Sequence, residues 1–181
     1  MLGEIKIALD DESAKRAASV LGQLADRTEN IEGGLRNVGE ALLRTQDERF
    51  DTESDPQGRT WAPLSLSTVV QRGGSGHILQ VTRRLRSSGA YQISGNSLRV
   101  GINAPPYDVV HQFGSTHEIR AKNAQALRVP VVGAGGAGFA FLKAVIVTIP
   151  ARPIVGFGPK DEEAARDAVE EWLEVEGMSD E

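Results

Sequence analysis

Helical spacing of aliphatic residues sets the first constraint on this chain. Leu21, Leu24, Ile31, Leu35, Val38 and Leu42 follow at steps of three and four once Thr28 fills the polar slot between Leu24 and Ile31. That spacing lines side chains along one stripe of an α-helix. It predicts a long N-terminal helix over about residues 11–49. Asp10-Asp11-Glu12-Ser13 marks its start, with capping side chains and acids at the positive end of the helix dipole. Gly33-Gly34 is where the helix is expected to kink or split, at about 1 kcal/mol per Gly relative to Ala. The narrow stripe suits a coiled-coil seam or, more commonly, packing on a sheet.

The rest of the chain reads as strands and short helices. Ile5, Ile7 and Leu9 alternate with Glu4, Lys6 and Ala8, a strand pattern. Residues 64–72 suit a short helix, and Thr82 suits the cap of another carrying Arg83, Arg84 and Arg86. Gly95-Asn96 joins residues 91–94 to 97–102 as a hairpin. Residues 107–113 suit one or two helical turns ended by Gly114. Residues 127–132 and 139–149 are apolar and β-branched, and a Gly-rich tip at about 133–138 joins them as a second hairpin. A final helix starts at Pro159, with Ala164, Ala165, Ala168, Val169, Trp172 and Leu173 on one face. The predicted fold is α+β: a mainly antiparallel sheet packed with a long N-terminal helix and a C-terminal helix. Its bounds are a single domain over 1–176 and a frayed acidic tail over 177–181.

Composition narrows the function classes. A length of 181 residues suits one domain. Aromatic content of 5% predicts a mostly aliphatic core. Without cysteine there is no disulfide framework, thiolate metal site or cysteine nucleophile, which fits a reducing cytoplasm. The first nine residues lack the basic and apolar regions of a signal peptide, and no apolar run reaches membrane-spanning length, so no membrane association is expected. The net charge of −5 conceals a basic middle between acidic ends: residues 1–56 hold 13 acidic and 7 basic side chains, residues 57–160 hold 2 acidic and 12 basic, and residues 161–181 hold 10 acidic and 1 basic. Either the acidic ends neutralise the chain's own middle, or the middle faces a neighbouring subunit or DNA.

Four motifs bear on chemistry. Gly133-Ala134-Gly135-Gly136-Ala137-Gly138 spells the dinucleotide fingerprint, but the segment after it is strand-like and no acid lies about twenty residues on. A flexible hairpin tip is the plainer reading, with a nucleotide-binding enzyme as the alternative from another class. His111 and His117 with Glu118 lack helical zinc spacing and a further ligand, so no metal and no cofactor is expected. No Gly-x-Ser-x-Gly elbow occurs, so no catalytic residue is assigned. Arg83-Arg84-Leu85-Arg86 is a charged face or a sequence-independent phosphate contact; without interleaved aromatics it does not suggest base stacking.

Three segments mix proline, glycine and one large anchor. They are residues 55–65 with Trp61, residues 107–114 with Phe113, and residues 149–156 with Arg152 and Pro153. Arg49-Phe50 precedes them. Leu79, Thr82, Leu85, Ser88 and Val100-Gly101 lie between. In this order they resemble the phage virion morphogenesis family over nearly the whole chain. In one departure, Arg83 stands where the family usually has glycine after threonine, which favours an uninterrupted helix over a tight turn.

The resemblance implies a structural assembly protein of a tailed phage or prophage. It would be made in the bacterial cytoplasm and sit at the head–tail junction of the virion. It would complete or terminate the tail as an oligomeric ring, and no enzyme activity is expected of it. The implied partners are itself, as a homo-hexamer, the tail tube protein and a neck or head-completion protein. A head-side adaptor, stopper or capsid assembly factor is the alternative within the same virion. Trp61, Phe113, Arg152 and Pro153 are the candidate assembly residues. Trp61 is a rigid aromatic anchor for a core edge or an interface, and Phe113 is expected in the core. Arg152, on a stiff backbone, either pins its own loop through a salt bridge or contacts another subunit.

Overall fold

The computed structural model of the protein describes residues 11–174, apart from 75, 123 and 134–135. The predicted strand at residues 5–9 and the tail at 177–181 lie outside the described residues. Chain order is α1 (Asp11–Glu29), α2 (Glu32–Thr52), α3 (Leu66–Gln71), β1 (Gly89–Ser94), β2 (Ser97–Ile102), α4 (Tyr107–Phe113), β3 (Ser115–Arg120), β4 (Leu127–Gly133), β5 (Gly136–Leu142), β6 (Ala144–Ile149) and α5 (Pro159–Leu173). The fold is α+β with antiparallel strand pairing, as expected.

The single long helix divides in two, and not at the glycines. The break falls at Asn30-Ile31, where the Asn30 Oδ1 accepts from the Glu32 N–H at 3.2 Å and the Ile31 carbonyl opens α2 by accepting from Leu35 N–H at 2.9 Å. Gly33 and Gly34 lie inside α2 and form a slot for the Trp172 indole of α5. A Cβ on Gly34 would stand 2.8 Å from the Trp172 ring, so the glycines serve close packing rather than a kink. Gly39 does the same for Tyr91 of β1, where a Cβ would also meet the ring at 2.8 Å. α2 is therefore the spine, with α5 packed on it and the β1–β2 hairpin against it. The predicted stripe is covered unevenly: Leu35, Val38 and Leu42 are half-buried on α2, whereas Leu21 on α1 is exposed.

The predicted sheet divides into three two-stranded ladders. β1–β2 has the expected hairpin register, with Tyr91 opposite Val100 and Ile93 opposite Leu98. The run at 139–149 was expected to be one strand. It breaks at Lys143: β5 stays with β4, while β6 pairs with β3, from Ser115↔Ile149 to Arg120↔Ala144. β3 reads Ser-Thr-His-Glu-Ile-Arg, too polar to announce a strand by apolar alternation.

The helix expected from Thr82 is replaced by a single 3-10 turn at Arg86–Ser88. Arg83 adopts φ 54°, the left-handed region. Glycine is favoured there because it lacks Cβ. The tight turn is thus kept despite the arginine, and the uninterrupted helix is overturned.

The core cluster joins Phe50, Trp61, Ile78, Leu85, Ala104 and Ile154. It is mostly aliphatic, as expected, around one aromatic pair: the Phe50 and Trp61 rings meet edge to face, 5.6 Å apart and inclined by 79°.

Candidate functional site

The segment at residues 150–158 is held by side chains from several distant parts of the chain. From the first signature segment, the Trp61 Nε1–H donates to the Pro153 carbonyl at 2.9 Å while its ring enters the core. In return, Arg152 donates through Nε to the Ala62 carbonyl at 2.7 Å and through Nη2 to the Pro63 carbonyl at 2.9 Å. From the second segment, the His111 carbonyl accepts the Arg152 N–H at 2.6 Å. Gln112 Oε1 accepts from the N–H groups of Ile154 and Val155 at 2.9 and 3.0 Å, and its Nε2 donates to the Val155 carbonyl at 2.7 Å. The three signature segments meet at one bracket.

The helices close the bracket from the other side. Arg49 of α2 donates to the Ile154 carbonyl and forms a buried ion pair with Asp161. Asp161 also accepts from Thr45 Oγ1 at 2.5 Å and from the Gly158 N–H at 2.8 Å, capping α5. At Gly158 a Cβ would stand 1.7 Å from the Pro56 carbonyl oxygen, so only glycine fits against the residue 55–59 turn. That turn is tied by Asp55, whose Oδ1 accepts from the N–H groups of Gln57 and Arg59, each at 2.9 Å, and whose Oδ2 accepts from Arg59 Nε at 2.7 Å.

Burial sets the electrostatics. Burial lowers the affinity of Arg49 for its proton, and the Asp161 carboxylate opposes that effect. Burial likewise lowers that of Arg152, with the Arg72 charge adding to it and Glu53 opposing it. Both guanidinium groups stay charged, because arginine starts so high. His111 is held below the ordinary imidazole value by burial and then by the Arg152 charge. For Asp55, burial acts upward, but the hydrogen bonds from Arg59 and Gln57 outweigh it and hold the carboxyl below its ordinary range.

Trp61, Arg152 and Pro153 thus come together, with Arg152 satisfied by backbone carbonyls and not by the salt bridge considered from sequence. Phe113 does not enter the core. It is 76% exposed at the end of α4, beside the bracket. An apolar residue in that position resists explanation by local packing.

The basic cluster is dispersed. Arg86 turns back on α2, reaching Asp47 at 2.6 Å and also pairing with Asp51; these two carboxylates raise its proton affinity. Its charge is therefore spent within the chain. Arg84 lies over the Tyr107 ring, 5.3 Å from the centroid, and Arg83 is exposed in its turn. The glycine run at 133–138 joins two paired strands, so the helix N-terminus that a pyrophosphate needs does not follow it. Among the described residues, no group of three metal-ligating side chains gathers, and no helix is long and apolar enough to cross a membrane.

Sequence reasoning assigned no site role to Arg49, Gln112 or Asp161. Asp161 had a readable signal: it is the third residue after Gly158, the position from which a carboxylate returns to a helix N-cap. Gln112 had none, since its partners lie more than forty residues away in the chain.

The model of the phage virion morphogenesis family matches residues 12–174. No curated protein and no solved structure matches the chain.

Proposed function

The chain belongs to the phage virion morphogenesis family, and from that premise we propose that it is a ring-forming subunit of the head–tail junction that completes the tail and joins it to the head. The family assignment supports a structural, assembly role in a phage. The finer role draws support from one observation, the large apolar side chains left uncovered beside the bracket.

The uncovered surface is apolar where an assembly protein needs it. Tyr107, Val109 and Phe113 are exposed along α4, and Phe157 is exposed at the end of the bracketed segment. The bracket holds these side chains on a rigid backbone, which limits the entropy lost when a partner docks. Tail tube and neck proteins are the proposed partners, with further copies of this chain completing the ring.

Electron microscopy of virions carrying a label on this protein tests the reading. The expected result is a ring of label at the head–tail junction, with tailless or unjoined particles when the protein is withheld. Label confined to the capsid shell, or normal infectious particles without the protein, would overturn it.

A further inference from the structure

The two ladders after α4 form an arm with its own chemistry. On β5, Phe139 and Phe141 lie on one side, opposite their β4 partners Pro130 and Arg128. The two phenylalanines are 53% and 70% exposed. The Arg128 guanidinium stands over Phe139, 3.6 Å from the ring centroid. β5 and β6 meet at Lys143, whose carbonyl accepts from the Ala121 N–H at 3.0 Å. This junction brings the chain positions of Arg120, Lys122, Arg128 and Lys143 together where the two ladders join. Glu118 is the single carboxylate between residues 115 and 149, and it pairs with Arg120 at 2.8 Å.

α5 carries the opposite charge. Glu163, Asp167 and Glu170, with Glu174 at the C-cap, recur at steps of four, three and four, so they form one stripe on the side away from the buried Asp161 and Ala168. All four are exposed, and none makes an ion pair among the described residues.

We propose that the basic, aromatic arm of one subunit docks on the acidic α5 stripe of the next copy of this chain. The proposal rests on the ring reading above and names the contact that builds the ring. Charge complementarity selects the occupant: the arm is basic, and the chain itself carries an acidic stripe of opposite sign that makes no ion pair among the described residues. Phe139 and Phe141 supply apolar area, while the cations set orientation. Arm and stripe are different surfaces, so the contact is heterologous and propagates head to tail until the rotation closes a ring.

Reciprocal charge reversal tests it on the full chain. Arg128→Glu with Lys143→Glu reverses the arm, and Asp167→Lys with Glu170→Lys reverses the stripe. Each double variant should keep its melting temperature, yet associate at least ten-fold more weakly by sedimentation. Mixed one to one, the two should assemble again, because an alternating ring opposes unlike charges at every contact. Both variants assembling like wild type would overturn the docking and leave the ring reading standing. So would loss of duplex DNA retention by the arm variant with assembly unchanged. A wild-type chain that stays monomeric at high concentration and forms no ring in virions would overturn both readings.

Discussion

Arg152 is 5% exposed, and its guanidinium is satisfied by the carbonyls of Ala62 and Pro63. Arg152→Ala would leave these acceptors without their donor, at about 1–3 kcal/mol for an unsatisfied buried group. Thermal unfolding should show that loss, while any folded fraction still assembles; unchanged stability would end the pinning role. The Arg49–Asp161 pair is more exacting. Asp161→Ala would strand a buried cation and should cost about 3–5 kcal/mol, measured by urea unfolding. Adding Arg49→Met should recover part of that cost, since the stranded charge is then gone. His111 adds a pH dependence. Its folded-state proton affinity is lowered from the ordinary 6.5, so the unfolded chain protonates first as pH falls. Its contribution is fully present above about pH 6.5 and is lost as pH drops from there toward the folded value. His111→Gln should flatten that part of the stability profile; an unaltered profile would assign the acid sensitivity elsewhere.

The elements differ in how much of their own stability they carry. α2 and α5 lock through the Trp172 slot and the Arg49–Asp161 pair; helical spacing marked both as helical, but it ran α2 together with α1 and showed neither contact. The β4–β5 ladder has only two strands. Such a ladder is marginal in water without a covering layer. Phe139→Ser with Phe141→Ser should leave the melting of the helical body within about 0.5 kcal/mol, as for other exposed sites. The same pair of changes should weaken assembly by sedimentation; a destabilised body with normal assembly would show that the arm serves folding instead. The β3–β6 ladder was not legible, because β3 lacks an apolar alternation and its partner lies beyond the whole β4–β5 hairpin.

For the whole molecule, charge is partly balanced inside the chain and partly left for a neighbour. Arg86 joins the basic middle to Asp47 and Asp51 of α2, whereas the α5 stripe and the arm remain apart. Exposed pairs are screened beyond about 8–10 Å at 0.1–0.15 M salt. Raising salt toward about 0.5 M should therefore weaken association in a sedimentation series. Association that strengthens with salt would point to apolar contact alone.

The sequence by itself determined the local elements: the hairpin turn at Gly95-Asn96, the α4 turn ended by Gly114, the C-terminal helix and the family. These depend on spacing, turn residues and ordered motifs, which act over a few residues. The tertiary structure decided what each anchor does. Trp61 went into the core, Phe113 stayed outside it, Arg152 took carbonyls in place of a carboxylate, and Arg83 kept a turn that lacks its glycine. Each outcome depends on groups brought together from distant positions, where burial and hydrogen-bond satisfaction outweigh the preference of any one residue.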